Sequence, residues 1–219
     1  MIAIHRPHVI RVACAGALTL AASAWPAFAH HAMGGKLPQS LMQGFLSGVG
    51  HPIIGLDHLA FIIAVGLSAA LAGRLLPLSL AFVAGTLAGC LIHLGSVTLP
   101  IAEVVIAASV LLLGAIIAFN RRLPPLVLAV LFLGVGLFHG WAYGESIFGA
   151  EQTLLVAYLA GFMLVQLAIA VLAGTVGRRL VAEHGSAQTN VRLAGAVVAG
   201  VGLAIFVGHF EGFLFPGVH

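Results

Sequence analysis

The eighteen residues from Leu126 to Tyr143, LVLAVLFLGVGLFHGWAY, contain no Asp, Glu, Lys or Arg. A run of that length and polarity is long enough to cross the hydrocarbon core of a bilayer as one helix. Hydrocarbon offers no partner to backbone N–H and C=O groups, so such a run must satisfy its own, and a helix does so. The rest of the chain has the same character: of 219 residues, 61% are hydrophobic and 7% charged, and the mean hydropathy is +1.16. Soluble domains carry about 25% charged residues. An all-α integral membrane protein is therefore expected. The net charge of +3 arises from nine basic and six acidic residues, too few and too scattered for a nucleic-acid-binding face.

Five further apolar stretches accompany the first, giving six in all: Ile53 to Ala72, Leu78 to Val97, Ile101 to Phe119, Leu126 to Tyr143, Thr153 to Val176 and Leu193 to Phe210. Short polar or proline-bearing breaks separate them, no strand alternation suggests a barrel, and a six-transmembrane-helix bundle is predicted. The N-terminus reads as a secretory signal peptide over residues 1–29: Arg6 and Arg11, an apolar run from Val12 to Trp25, and Ala27-Phe28-Ala29 as the cleavage site. The remainder, residues 30–219, forms one transmembrane domain. Cys14 leaves with the leader, and Cys90 alone allows no intrachain disulfide.

Arg74, Arg121, Arg122, Arg178, Arg179 and Arg192 fall in the breaks after the first, third and fifth stretches. The positive-inside rule places those breaks in the cytoplasm. Both mature termini and the breaks at Pro100 and Glu151 are then periplasmic, in the bacterial inner membrane, as a cleaved leader also requires. The two three-helix halves would run in opposite directions, the topology of inverted repeats.

Ionisable side chains within a bilayer cost about 2.5–3.5 kcal/mol each on insertion scales, so they tend to mark a path or a site. Here the first stretch opens with His51-Pro52-Ile53-Ile54-Gly55-Leu56-Asp57-His58, and the fourth ends with Phe138-His139-Gly140-Trp141-Ala142-Tyr143-Gly144-Glu145. In the orientation just given, all of these groups lie toward the periplasm. On one continuous helix, with Pro52 at its first position, the seven-residue spacing would put His51 and His58 on one face. Gly136, Gly140 and Gly144 recur every four residues and allow a neighbouring helix to approach closely. A close pair of these two helices would join Asp57, His58, His139 and Glu145. Imidazole with carboxylate suits borderline ions such as Ni(II), Co(II) and Zn(II), and no Cys or Met cluster suggests Cu(I). The competing reading is that the groups only hydrogen-bond between helices. His30, His31 and His93 are auxiliary metal candidates, while Glu103, His209 and Glu211 would flank an outer vestibule.

These two motifs resemble the paired signatures of the HupE/UreJ family of nickel and cobalt permeases. The family's first pattern, a histidine, five residues, then Asp-His, is matched by His51, Asp57 and His58. The second is matched by Phe138, His139, Gly140, Ala142, Gly144 and Glu145, with Glu145 following Gly144 directly where the family pattern has one residue between. The resemblance implies secondary uptake of nickel, with cobalt as the alternative ion, in support of hydrogenase or urease maturation. It further implies that Asp57, His58 and His139 matter for transport.

No phosphate-binding loop occurs, so an ATP engine within the chain is excluded, and no prosthetic group is expected. A membrane-embedded metal-dependent hydrolase would use the same residue types, but neither His-Glu-x-x-His nor Gly-x-Ser-x-Gly is present. A metal-sensing partner protein is the second rival, and the short loops leave it little surface.

Overall fold

The computed structural model describes residues 36–183 and 187–214; the expected leader and the His30–His31 pair lie outside them. The described residues form seven helices: α1 (Leu41–Ile54), α2 (Leu56–Leu71), α3 (Leu75–Leu94), α4 (Ala102–Ala118), α5 (Pro125–Glu145), α6 (Gln152–Glu183) and α7 (Ala187–Leu214). No strand occurs among them.

The first apolar stretch differs from its sequence reading. Instead of a single helix beginning beside His51, the chain forms α1, breaks at Gly55, and turns through 79° into α2. The helix starts earlier because Ser40, in extended conformation, caps it: its side chain accepts the Gln43 N–H at 3.2 Å. Pro52 lies inside α1, where it removes the N–H that would bond one turn back and weakens the helix near its end. Gly55 then leaves the helix at φ −68°, ψ 104°, with its N–H still bonded to the His51 carbonyl and its own carbonyl accepting from Leu59 to begin α2. His51 and His58 thus sit on two half-helices meeting at an angle, not on one face.

α3, α5, α6 and α7 are each long and apolar enough to cross a membrane, and α1 with α2 makes a fifth candidate as one broken span. α4, at 17 residues, measures about 25 Å at 1.5 Å per residue, short of a hydrocarbon core of roughly 30 Å. The protein is a multi-pass membrane protein. Its polarity distribution agrees, since Ser47, His51, Asp57, His58, Thr86, Ser109, His139 and Gln166 are buried while Leu76, Leu126, Val130, Val156, Leu164 and Leu172 are exposed.

Close backbone approaches set the helix pairing. Gly44 and Gly48 of α1 pack against Leu154 and Tyr158 of α6, and Gly66 of α2 against Ala170, so the chain advances along α6 in one sense through both half-helices. Gly85 and Gly89 of α3 face Leu133 and Leu137 of α5, a parallel pair. Gly114 of α4 meets Ala199 of α7, and Gly202 meets Leu111, which makes that pair antiparallel. Small residues permit such contacts where no hydrophobic drive exists between helices. If the set α1/α2, α3, α4 is exchanged with the set α5, α6, α7, the α1/α2–α6 pair becomes the α5–α3 pair and the α4–α7 pair maps onto itself. This is the pairing an inverted repeat requires.

The same contacts gather the arginines at one end. Leu71 and Ala72 share a cavity with Arg121 and Arg122, Arg192 donates to the Ala118 carbonyl at 2.9 Å, and Gly174 of α6 lies against Leu75.

Candidate functional site

The site forms where the bent α1–α2 pair meets α5 and α4. Asp57 stands in the first turn of α2, where the partial positive charge of a helix N-terminus favours a carboxylate. Its Oδ1 accepts the His58 N–H at 2.8 Å. The carbonyl end of α1 points its opposite, negative pole at the same break, an arrangement that favours a cation in discontinuous membrane helices.

His58 follows Asp57 and faces the bundle interior, 2% exposed, while His139 of α5 is fully buried. Their Nδ1 atoms lie 2.9 Å apart. The other ring nitrogen of His139, Nε2, meets the Ser109 hydroxyl of α4 at 3.0 Å, and Phe61 stacks on the ring with centroids 4.5 Å apart and planes 25° from parallel. These contacts hold the imidazole on both its edge and its face.

His51 closes the other side. Its Nδ1 lies 2.9 Å from the Ser146 hydroxyl and 3.2 Å from the Tyr158 hydroxyl. Tyr158 in turn donates to the Tyr143 carbonyl at 2.9 Å. The Tyr143 ring, one turn beyond His139, packs against both His51 and His58, at 4.9 and 4.4 Å between centroids. Three imidazoles therefore form a file, with centroid separations of 5.8 Å from His51 to His58 and 5.1 Å from His58 to His139. Asp57 is the buried carboxylate beside them among the described residues.

Of the residues the sequence singled out, the structure brings His51, Asp57, His58 and His139 into one buried neighbourhood. It does not close a cage: among the described residues, no three His, Cys, Asp or Glu side chains are arranged around one ion position. Glu145 is exposed in the last turn of α5. Six residues from His139 is about 240° around a helix, so the two side chains leave α5 in different directions. Glu145 instead acts electrostatically on His93, which packs between Trp141 and Phe148 at 4.4 and 5.6 Å. His93 and Glu145 thus lie toward the same end of the α3–α5 pair, apart from the His58–His139 contact.

Sequence reasoning missed Ser109, Tyr143, Ser146 and Tyr158. Ser109 did leave a signal, as the one hydroxyl within α4. The Tyr143 hydroxyl is buried without a protein hydrogen-bond partner.

Comparison with known proteins identifies a family. The family described as HupE / UreJ protein matches residues 18–205. The chain is 32% identical over 192 residues to "Protein HupE" of Rhizobium leguminosarum bv. viciae, covering 87% of this chain and 96% of that relative. No solved structure matches it. With most of its length matched and both histidine signatures built around one buried contact, the chain belongs to the HupE/UreJ family.

Proposed function

We propose that the protein is a secondary permease that carries divalent nickel, with cobalt as its alternative substrate, from the periplasm across the inner membrane into the cytoplasm. In this reading residues 30–219 are the permease domain, both mature termini are periplasmic, and the imported ion supplies a nickel enzyme such as hydrogenase or urease. The orientation draws its support from the arginines gathered at one end of the bundle.

The observation that carries the reading is the buried His58–His139 contact beside Asp57. A hydrogen bond alone would not require a carboxylate there, whereas a divalent ion in low dielectric needs both donors and compensating charge. The pair supplies imidazole nitrogens, which together with the carboxylate suit a borderline divalent ion such as nickel or cobalt.

In the proposed cycle, the hydrated ion reaches the break between α1 and α2 and exchanges water for ligands from Asp57, His58 and His139. It passes inward when the halves rearrange around the site. His51, held by Ser146 and Tyr158, stands one position earlier in the file and receives the ion first. The open file permits release, since a closed cage would bind too tightly for flux. An inside-negative potential contributes about 2.3 kcal/mol per charge per 100 mV, or roughly 4.6 kcal/mol for a divalent ion. Uptake needs no nucleotide. Nickel and cobalt uptake into sealed vesicles containing the purified protein, with and without an imposed potential, tests the proposal: potential-dependent flux supports it, and no flux from folded protein contradicts it.

A further inference from the structure

The Ser109 hydroxyl carries one proton and has two polar neighbours, the Ile106 carbonyl at 2.6 Å and His139 Nε2 at 3.0 Å. A carbonyl only accepts. The hydroxyl proton therefore goes to Ile106, the back-bond to the preceding turn that serine commonly makes within a helix. What Ser109 then offers His139 is an oxygen lone pair, so Nε2 must be the donor. In a neutral imidazole the other nitrogen, Nδ1, is left with the lone pair. That nitrogen is the one facing His58 at 2.9 Å.

We propose that Ser109 is a positioning residue for metal transport: from α4 it locks His139 in the Nε2–H tautomer, which makes Nδ1 the donor atom presented to the ion. The lock is a chain of four groups, with His58 Nδ1–H donating to His139 Nδ1, His139 Nε2–H to Ser109 Oγ, and Ser109 O–H to the Ile106 carbonyl. No water competes for these atoms at a fully buried ring, and the stacked Phe61 face keeps the ring from turning. With the opposite tautomer, Nε2 and the serine oxygen would meet lone pair to lone pair, or Ser109 would have to abandon Ile106. Either alternative costs a buried hydrogen bond. Partners that orient a ligating histidine in this way typically alter metal affinity 10–100-fold when removed.

The inference rests on the permease reading, but its first readout needs no metal. Imidazole ¹⁵N spectra of the metal-free protein in lipid, carrying ring-labelled histidine and assigned with His139→Gln, report which nitrogen holds the proton. The expected wild-type spectrum shows His139 protonated at Nε2. Ser109→Ala is expected to yield mixed tautomers and to raise the nickel KM on the order of 10–100-fold, with a smaller change in kcat. Ser109→Thr, which keeps a hydroxyl able to bond the preceding turn, is expected to restore both. A wild-type His139 protonated at Nδ1 would overturn the inference even if no variant folds. So would Ser109→Ala with an unchanged tautomer and KM, or Ser109→Thr failing as Ala does while inserted normally. If wild type carries no nickel at all, the permease reading falls, and the metal-free spectrum decides the tautomer independently.

Discussion

His58 and His139, 81 positions apart in sequence, meet through their Nδ1 atoms at 2.9 Å in the buried interior. Two imidazoles so placed are held by the break at Gly55, which aims His58, and by the α3–α5 packing, which fixes the depth of His139. Each of these supports can be removed separately.

Gly55 is the first. A methyl group there would lie 2.7 Å from Cδ2 of His58 and 3.2 Å from Oδ1 of Asp57. The backbone conformation itself is open to any residue, so Gly55→Ala is expected to insert normally and displace the site side chains. Nickel uptake should fall on the order of tenfold, as for other disturbances of ligand orientation. Uptake rates normalised to membrane-inserted protein check this.

Helix packing is the second. A Cβ on Gly140 would strike the Thr86 carbonyl across the α3–α5 contact, whereas Gly134, on the same helix, has nothing within 4 Å. Overpacking typically costs about 1–3 kcal/mol. Gly140→Leu is therefore expected to lower the thermal stability of the detergent-purified protein, and Gly134→Leu to leave it near wild type.

The hydroxyls behind His51 share one task. Tyr158 and Ser146 both approach its Nδ1 and lie 3.0 Å from each other. Either Tyr158→Phe or Ser146→Ala alone should raise the nickel KM only a few-fold, because the remaining hydroxyl still holds the ring. The double variant is expected to exceed the product of the single effects, the signature of groups in one network. Concentration-dependent uptake in the four proteins completes the cycle.

The two carboxylates should separate. Asp57 is buried at the α2 N-terminus and Glu145 is exposed beside His93. Asp57→Asn is expected to abolish uptake, since it removes the charge that compensates the ion at its buried position. Glu145→Gln should retain maximal flux and raise KM modestly, as fits a group at the entrance. Initial rates across nickel concentration distinguish the two.

Much of this was legible in the sequence because hydrocarbon imposes a simple rule: the apolar stretches had to be helices, and five of their six positions match α3 to α7. The break in the first span was harder to read. Pro52 suits a helix start as well as a helix end, and only packing along α6 decides between them. The start of α1 is set instead by Ser40, whose side chain accepts the Gln43 N–H. Within the site, the acidic and imidazole groups stood out because they are expensive in a membrane. Ser109 and Tyr158 did not, since single hydroxyls are cheap there and their value lies in partners 30 and 107 positions away. Glu145 illustrates a further limit: proximity in sequence to His139 says little about direction when helical rotation turns the side chains apart.

The most direct test of the central claim is nickel uptake by sealed vesicles containing purified wild type or His58→Ala at matched protein content, under an imposed inside-negative potential. Potential-dependent nickel flux is expected in wild type and its loss in His58→Ala. Equal flux through both proteins, with the variant normally inserted, would contradict the claim.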